Sequence, residues 1–175
     1  LMGVEETDKL ACAETWGDGP IQAALSDLAR ELNIVLFGGT LPLKSEQPDK
    51  VWNSLLAFDR HGQCFGRYDK MHLFGFTGAG ERYAEADSIC AGHTVPRLQC
   101  DDIALAQGIC YDLRFPEFFR AQLPFDVLLL PAAFTYTTGL AHWSLLLRAR
   151  AVENQCYVLA AAQGGQHQNG RRTFG

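Results

Sequence analysis

Several short apolar runs constrain the fold more than any other feature of this chain. Residues 34–37, 103–109, 126–130 and 156–162 each read as a strand, and none alternates polar with apolar side chains. A strand with one wet face alternates; a strand covered on both faces does not. Helical spacing lies between these runs. Ile21, Leu25, Leu28 and Leu32 recur at helical intervals behind Asp18-Gly19-Pro20, a helix start with proline near its first position. Residues 140–153 read as a second helix, and Pro116 can open a short one through Leu123. Residues 51–58 and 63–68 read as strands joined by a turn at Asp59-Arg60-His61-Gly62. Interleaved strands and helices place the chain in the α/β class, or in a layered mixture of α and β.

Between Lys70 and His93 no period persists, and glycines 75, 78, 80 and 92 mix with charges and aromatics. A connection of this length in a compact domain is usually functional or disordered. Phe74, Phe76 and Tyr83 argue against disorder.

The length, 175 residues, suits one domain. A net charge of −5 argues against nucleic acid or an anionic membrane as the main partner. The apolar runs are too short to cross a bilayer, and Leu-Met-Gly-Val-Glu-Glu has no signal-peptide pattern. Six cysteines, at 12, 64, 90, 100, 110 and 156, form no CxxC pair. No metal site or disulfide framework is expected, and a reducing, cytoplasmic setting fits.

Cys110 differs from the other five by its position. It ends the run 103–109 and precedes Tyr-Asp-Leu-Arg-Phe-Pro-Glu. A strand end before a helix holds a side chain rigidly while letting it face a cleft. Burial as a small hydrophobe is the plain reading; a nucleophile is the other. A nucleophilic thiol needs a base or a cation nearby. Lys70, in Arg-Tyr-Asp-Lys-Met-His-Leu-Phe, closes another strand. Most lysines are solvated surface charges, but two strand ends at one edge of a sheet would let this one stabilise a thiolate and an oxyanion.

Four segments, in this order, resemble the nitrilase superfamily: "YDKMHLF", "GICYDLRFPEFFR", "LLLPAAF" and "AHWSLLLRARAVENQCYVLAAAQ". Within it they are similar to the Nit branch of amidases, which includes omega-amidases and the amidase of deaminated glutathione. The resemblance runs from about Trp16 to Gly175. It implies a four-layer α-β-β-α sandwich and a Cys-Glu-Lys triad without metal or organic cofactor. By motif, Cys110 matches the nucleophile and Lys70 the catalytic lysine. The Tyr111 amide matches an oxyanion donor. Glu85, in Tyr-Ala-Glu-Ala-Asp, matches a second glutamate near the lysine, in a sequence context that departs from the family's.

The family's general base, a glutamate in a Leu-Pro-Glu-type motif after a strand, has no match here. Leu1-Met2-Gly3 aligns just downstream of that motif, and Glu5 and Glu6 lack its context. The family domain also continues past the last residues of this chain. Residues 1–175 are therefore expected to be a partial carbon–nitrogen hydrolase domain, truncated at both ends, and to fold poorly and lack activity when isolated.

Around the motifs, Arg114 and Glu117 read as an ion pair bracing a turn, with substrate carboxylate binding by Arg114 as the alternative. Phe134 and Thr135 match a pocket-lining segment, although core packing explains Phe134 equally well. His142 raises a Cys-His arrangement, while a lone helix histidine is usually structural. Arg148, Arg150 and Glu153 read as helix-surface or subunit-interface ion pairs, and the resemblance implies a homo-oligomer. The expected activity is hydrolysis of a small linear amide, one bearing a carboxylate, through a cysteine thioester with release of ammonia. A carbamoylase, a nitrilase proper, or a non-catalytic binding protein on the same fold are the alternatives.

Overall fold

The computed structural model describes residues 8–78 and 81–175. Leu1-Met2-Gly3, Glu5 and Glu6, weighed above, lie outside the described residues. The chain divides into two compact units, Leu1–Thr94 and Val95–Gly175.

The first unit opens with the short α1 (Asp8–Ala11) and then α2 (Pro20–Leu32). Asp18 does not cap α2. Glu14, buried, takes that role from outside the helix: its Oε1 accepts the Ile21 N–H at 2.5 Å and its Oε2 the Gln22 N–H at 3.1 Å. The first turn of a helix leaves N–H groups unpaired and favours negative charge, so one carboxylate meets both needs. Asn33 ends the helix in the left-handed conformation.

An antiparallel meander follows: β1 (Leu36–Lys44), β2 (Val51–Phe58) and β3 (Cys64–Asp69). The reading at 34–37 stopped too early, because the strand begins at Leu36 and continues through Gly38-Gly39 to Lys44. Gly38 makes room for α2: a Cβ there would stand 2.6 Å from Leu25 Cδ1. The turn between β2 and β3 is held by Asp59, whose Oδ1 accepts the N–H groups of His61 and Gln63 at 2.8 and 2.9 Å. Gly62 supplies the positive φ of 78° that this turn requires.

Ile21 and Leu25 of α2 pack with Ala29, at helical spacing, on Leu41, Leu43, Leu56 and Phe58 of the sheet. Full burial of a leucine or phenylalanine side chain, as at Leu43 and Leu56, is worth about 1.5–3 kcal/mol. The segment 70–93 is not a structureless connection. It holds the hairpin β4 (Gly75–Gly78) and β5 (Glu81–Ala84), a 3-10 turn at Glu85–Asp87, and β6 (Ile89–Cys90), which pairs in parallel with β2.

The second unit has its own mixed sheet. β7 (Leu98–Cys100) and β8 (Ile103–Gln107) form a hairpin. β8 leads to a 3-10 turn at Cys110–Arg114 and to α3 (Pro116–Arg120). β9 (Val127–Leu129) and, after β10 (Phe134–Thr135) and α4 (Tyr136–Asn154), β11 (Tyr157–Leu159) complete the sheet. Its order is β11-β9-β8-β7, with β8, β9 and β11 parallel. Leu113, Phe118, Phe119, Phe125 and Leu128 are buried in this unit. β12 (Gly165–Gln166) and β13 (Arg172–Phe174) pair beside β10. Both units mix helices with sheets, as the α/β reading requires.

Candidate active site

Parallel strands gather their C-terminal ends on one side, and in open α/β sheets that side is where ligands bind. In the second unit the ends of β8 and β9 lead directly to Cys110 and to the segment carrying Phe134 and Thr135. Cys110 is not in an ordinary backbone conformation. Its φ is 50°, in the left-handed region that non-glycine residues rarely occupy. Such geometry persists only where neighbours over-determine it. They do so here: the Cys110 N–H donates to Pro131 O at 2.9 Å, tying the turn to the end of β9. Asp112, fully buried, accepts the Ile109 N–H at 2.8 Å on its Oδ2. Gln122 accepts the Gln107 N–H at 2.8 Å and donates back to Gln107 O at 3.0 Å. The thiol is therefore mounted on a clamped corner, partly exposed.

Arg114 ends the same 3-10 turn. Its Nη2 meets His142 Nδ1 at 3.1 Å, and its guanidinium lies 5.8 Å from the centre of the Phe134 ring. Phe134 in turn packs on Trp143, with ring centres 5.0 Å apart. The Arg114–Glu117 brace read from the sequence is replaced by this Arg114–His142 contact. The two faced each other only in sequence; α4 brings His142 to Arg114 instead. Phe134 is buried, so the packing role weighed for it is real, while Thr135 is half-buried and bonds the Thr138 hydroxyl at 2.6 Å.

Lys70 and Glu85 belong to the first unit. Lys70 directly follows β3 and is fully buried. Its N–H donates to Asn53 O at 2.9 Å, and its carbonyl accepts the Gly92 N–H at 2.8 Å. Its Nζ pairs with Glu85 Oε2 at 2.5 Å. The same Glu85 oxygen accepts the Phe74 N–H at 2.7 Å, and the Glu85 N–H donates to Phe74 O at 3.0 Å. A buried ammonium needs a partner of this kind, because desolvation of an isolated charge is costly. For Lys70 and Cys110 the arrangement considered from the sequence is two strand ends at one edge of one sheet. They instead follow strands of two different sheets, since β3 closes an antiparallel meander and β8 pairs in parallel with β9.

The sequence profile of the carbon–nitrogen hydrolase family matches residues 1–175. The chain belongs to that family. The deaminated glutathione amidase of Yersinia enterocolitica is 42% identical over 168 residues, covering 93% of this chain and 59% of that protein. The crystal structure of the C. elegans NitFhit protein superposes with a TM-score of 0.89 at 37% identity, over 100% of this chain and 43% of that one. An amidase from Nesterenkonia sp. AN1, captured after Michael addition of acrylamide at its active-site cysteine, gives a TM-score of 0.79 at 26% identity, over 98% of this chain and 64% of that one. The chain thus spans about three fifths of the length of the amidase relatives it matches, 59% and 64% for two of them. The Nit-type resemblance read from the four motifs holds.

Three residues around Cys110 escaped the sequence reading. Asp112 and Gln122 gave no signal beyond being polar in apolar surroundings. Arg150, read as part of a helix-surface or subunit-interface ion pair, does pair with Glu153, but it is 4% exposed and also donates from Nε and Nη2 to Leu113 O at 3.1 and 2.8 Å. Pro116 was the available signal. A proline removes the N–H that a preceding carbonyl would use, so some other donor had to be sought.

Proposed function

We propose that this chain carries the nucleophile, Cys110, and the oxyanion-stabilising lysine, Lys70, of a thiol amidase that releases ammonia from a small linear amide bearing a carboxylate. The observation that supports it most is Cys110 at φ 50° on a clamped strand end, in a family that includes an amidase modified at its active-site cysteine. In this reading a glutamate base, which the resemblance places in a Leu-Pro-Glu-type motif, takes the thiol proton. Cys110 Sγ attacks the amide carbon, and the carbonyl π electrons move to oxygen. Lys70 and the Tyr111 N–H stabilise that oxyanion. As the oxyanion collapses, the carbon–nitrogen bond breaks and the protonated base gives its proton to the nitrogen, which leaves as ammonia. Water then attacks the thioester and yields its proton to the base; the carboxylic acid departs and the thiol is restored.

Glu85 serves in this scheme by holding Lys70, since its Oε2 already takes Nζ and the Phe74 N–H. Arg114 is the candidate for the substrate carboxylate, because guanidinium pairs with that group in a planar fork. His142 orients it, the Phe134 ring lies beside it, and Thr135 follows Phe134 in the chain. His142 as a catalytic base fits less well, because its Nδ1 is engaged by Arg114.

A homo-oligomer and a reducing, cytoplasmic setting belong to the same proposal. Leu140, Leu145 and Val152 of α4 and Tyr157 and Leu159 of β11 are large exposed apolar side chains, the composition of a surface that pairs. All six cysteines are free thiols. Among the described residues no helix is long and apolar enough to cross a membrane.

The test is ammonia release by the full-length protein from a panel of dicarboxylic acid monoamides and their methyl esters. Preference for the free acid, lost in Arg114→Met through KM, is expected. Equal rates on acid and ester would refute the carboxylate assignment, and no ammonia from any amide would refute the activity.

A further inference from the structure

We infer that Arg150 is a positioning residue for Cys110, acting through the Leu113 carbonyl to hold the nucleophile's turn in its reactive shape. The inference rests on the reading of Cys110 as nucleophile. The need for such a partner begins in the sequence. A 3-10 turn runs its bonds from the carbonyl of one residue to the N–H three positions on. In this turn the Asp112 N–H donates to Ile109 O at 3.1 Å, and the Phe115 N–H to Asp112 O at 3.0 Å. The Leu113 carbonyl would look next to residue 116. That residue is Pro116, which has no N–H. Leu113 is fully buried, and a buried carbonyl must find a donor within the protein.

Arg150 is that donor. It comes from α4, forty residues beyond Cys110, and places two N–H groups on one oxygen, Nε at 3.1 Å and Nη2 at 2.8 Å. Its Nη1 meets Glu153 Oε1 at 2.7 Å, and the guanidinium lies 5.7 Å from the centre of the Phe119 ring. A planar fork with two bonds to one acceptor fixes direction as well as distance, which a lysine ammonium does not. The opposite end of the turn is the residue at φ 50°. A backbone in that region relaxes when its supports loosen. The Asp112 carboxylate and Pro131 carbonyl support the start of the turn, and Arg150 supports its end. Loosening the end moves Sγ without removing any group that touches substrate.

The experiment compares Arg150→Met, Arg150→Lys and Glu153→Gln with wild type in the full-length protein. It reads ammonia release, the rate of Cys110 alkylation by iodoacetamide (by peptide mass), and thermal melting. In folded Arg150→Met, kcat and Cys110 alkylation should both fall by roughly ten- to a hundredfold, the scale of a reacting atom displaced by about 1 Å, while KM stays near wild type. Arg150→Lys should recover part of the loss. Glu153→Gln keeps the guanidinium and loosens its seat, so both rates should fall about two- to threefold. A role confined to stability would lower the melting temperature and leave alkylation of the folded protein unchanged; that result overturns the inference. Should the Arg150 variants not fold, unchanged rates in Glu153→Gln overturn it equally. Wild-type turnover by Cys110→Ala would instead bring down the nucleophile reading, and this inference with it.

Discussion

Lys70 and Cys110 each stand just past the end of a strand, yet the chain secures them in different ways. Lys70 lies between two main-chain bonds, to Asn53 O and from the Gly92 N–H, and its ammonium is held by the Glu85 carboxylate. Cys110 is held through its backbone: a left-handed residue, a capped turn, the Pro131 carbonyl just past β9, and the Arg150 donors from α4. The difference separates two kinds of control. At Lys70 the chain places a charge, so substitutions should act through charge and donor geometry. At Cys110 it places an atom, so even neutral neighbours should act through position.

The contrast can be broken at either end. The largest effect should come from Cys110→Ala, which removes the proposed nucleophile and should lower ammonia release by at least about ten-thousandfold. Cys64→Ala and Cys156→Ala should keep most activity; comparable losses in either would mean that the clamped turn is not what distinguishes Cys110. Next comes Lys70→Arg, which keeps the charge and replaces a compact ammonium with a broad fork. Turnover should fall about a hundredfold or more, the scale of a lost oxyanion donor. Near wild-type rates would show that Lys70 supplies diffuse charge only.

Glu85→Gln should act more weakly on turnover and visibly on stability. It leaves a buried ammonium facing a neutral amide, and removing one partner of a buried pair costs on the order of 3 kcal/mol. An unchanged melting temperature would contradict the charge-placement account of the first unit. The smallest effect concerns thiols outside the site. Burial pushes the Cys64 thiol up despite opposing hydrogen bonds and Arg67, and burial with the Glu153 carboxylate pushes up Cys156. A raised thiol pKa leaves less thiolate near neutrality. Alkylation of both should therefore be slow at neutral pH and should rise on raising the pH above the ordinary thiol range. Rapid neutral-pH labelling of either would show that its environment has been misjudged.

The same division explains what could be read from the sequence. Residues 51–58 are β2 as read, and Pro20 opens α2 as read, because apolar runs and helix-start residues are local signals. Cys110 stands out in the sequence because a strand end, a turn and a family motif coincide there. The paired strands Gly75–Gly78 and Glu81–Ala84 do not, since strands of four residues are too short to show a period. Gly38-Gly39 read as the end of a strand, when the missing side chain instead makes room for Leu25. Arg150 was misplaced for a further reason. Helical spacing says which residues share a face, and it is silent on the distant carbonyl that one of them will reach. The Arg114–His142 contact is of the same kind, joining residues 28 apart that no local rule connects.

Trapping the acyl intermediate tests the central claim most directly. The full-length protein would be mixed with a dicarboxylic acid monoamide, quenched in acid during turnover, digested and mapped by mass. The account predicts the substrate's acyl group on the peptide carrying Cys110, absent from Cys110→Ala and released by hydroxylamine as a thioester should be. An acyl group on another side chain, formed while ammonia is released, would contradict it.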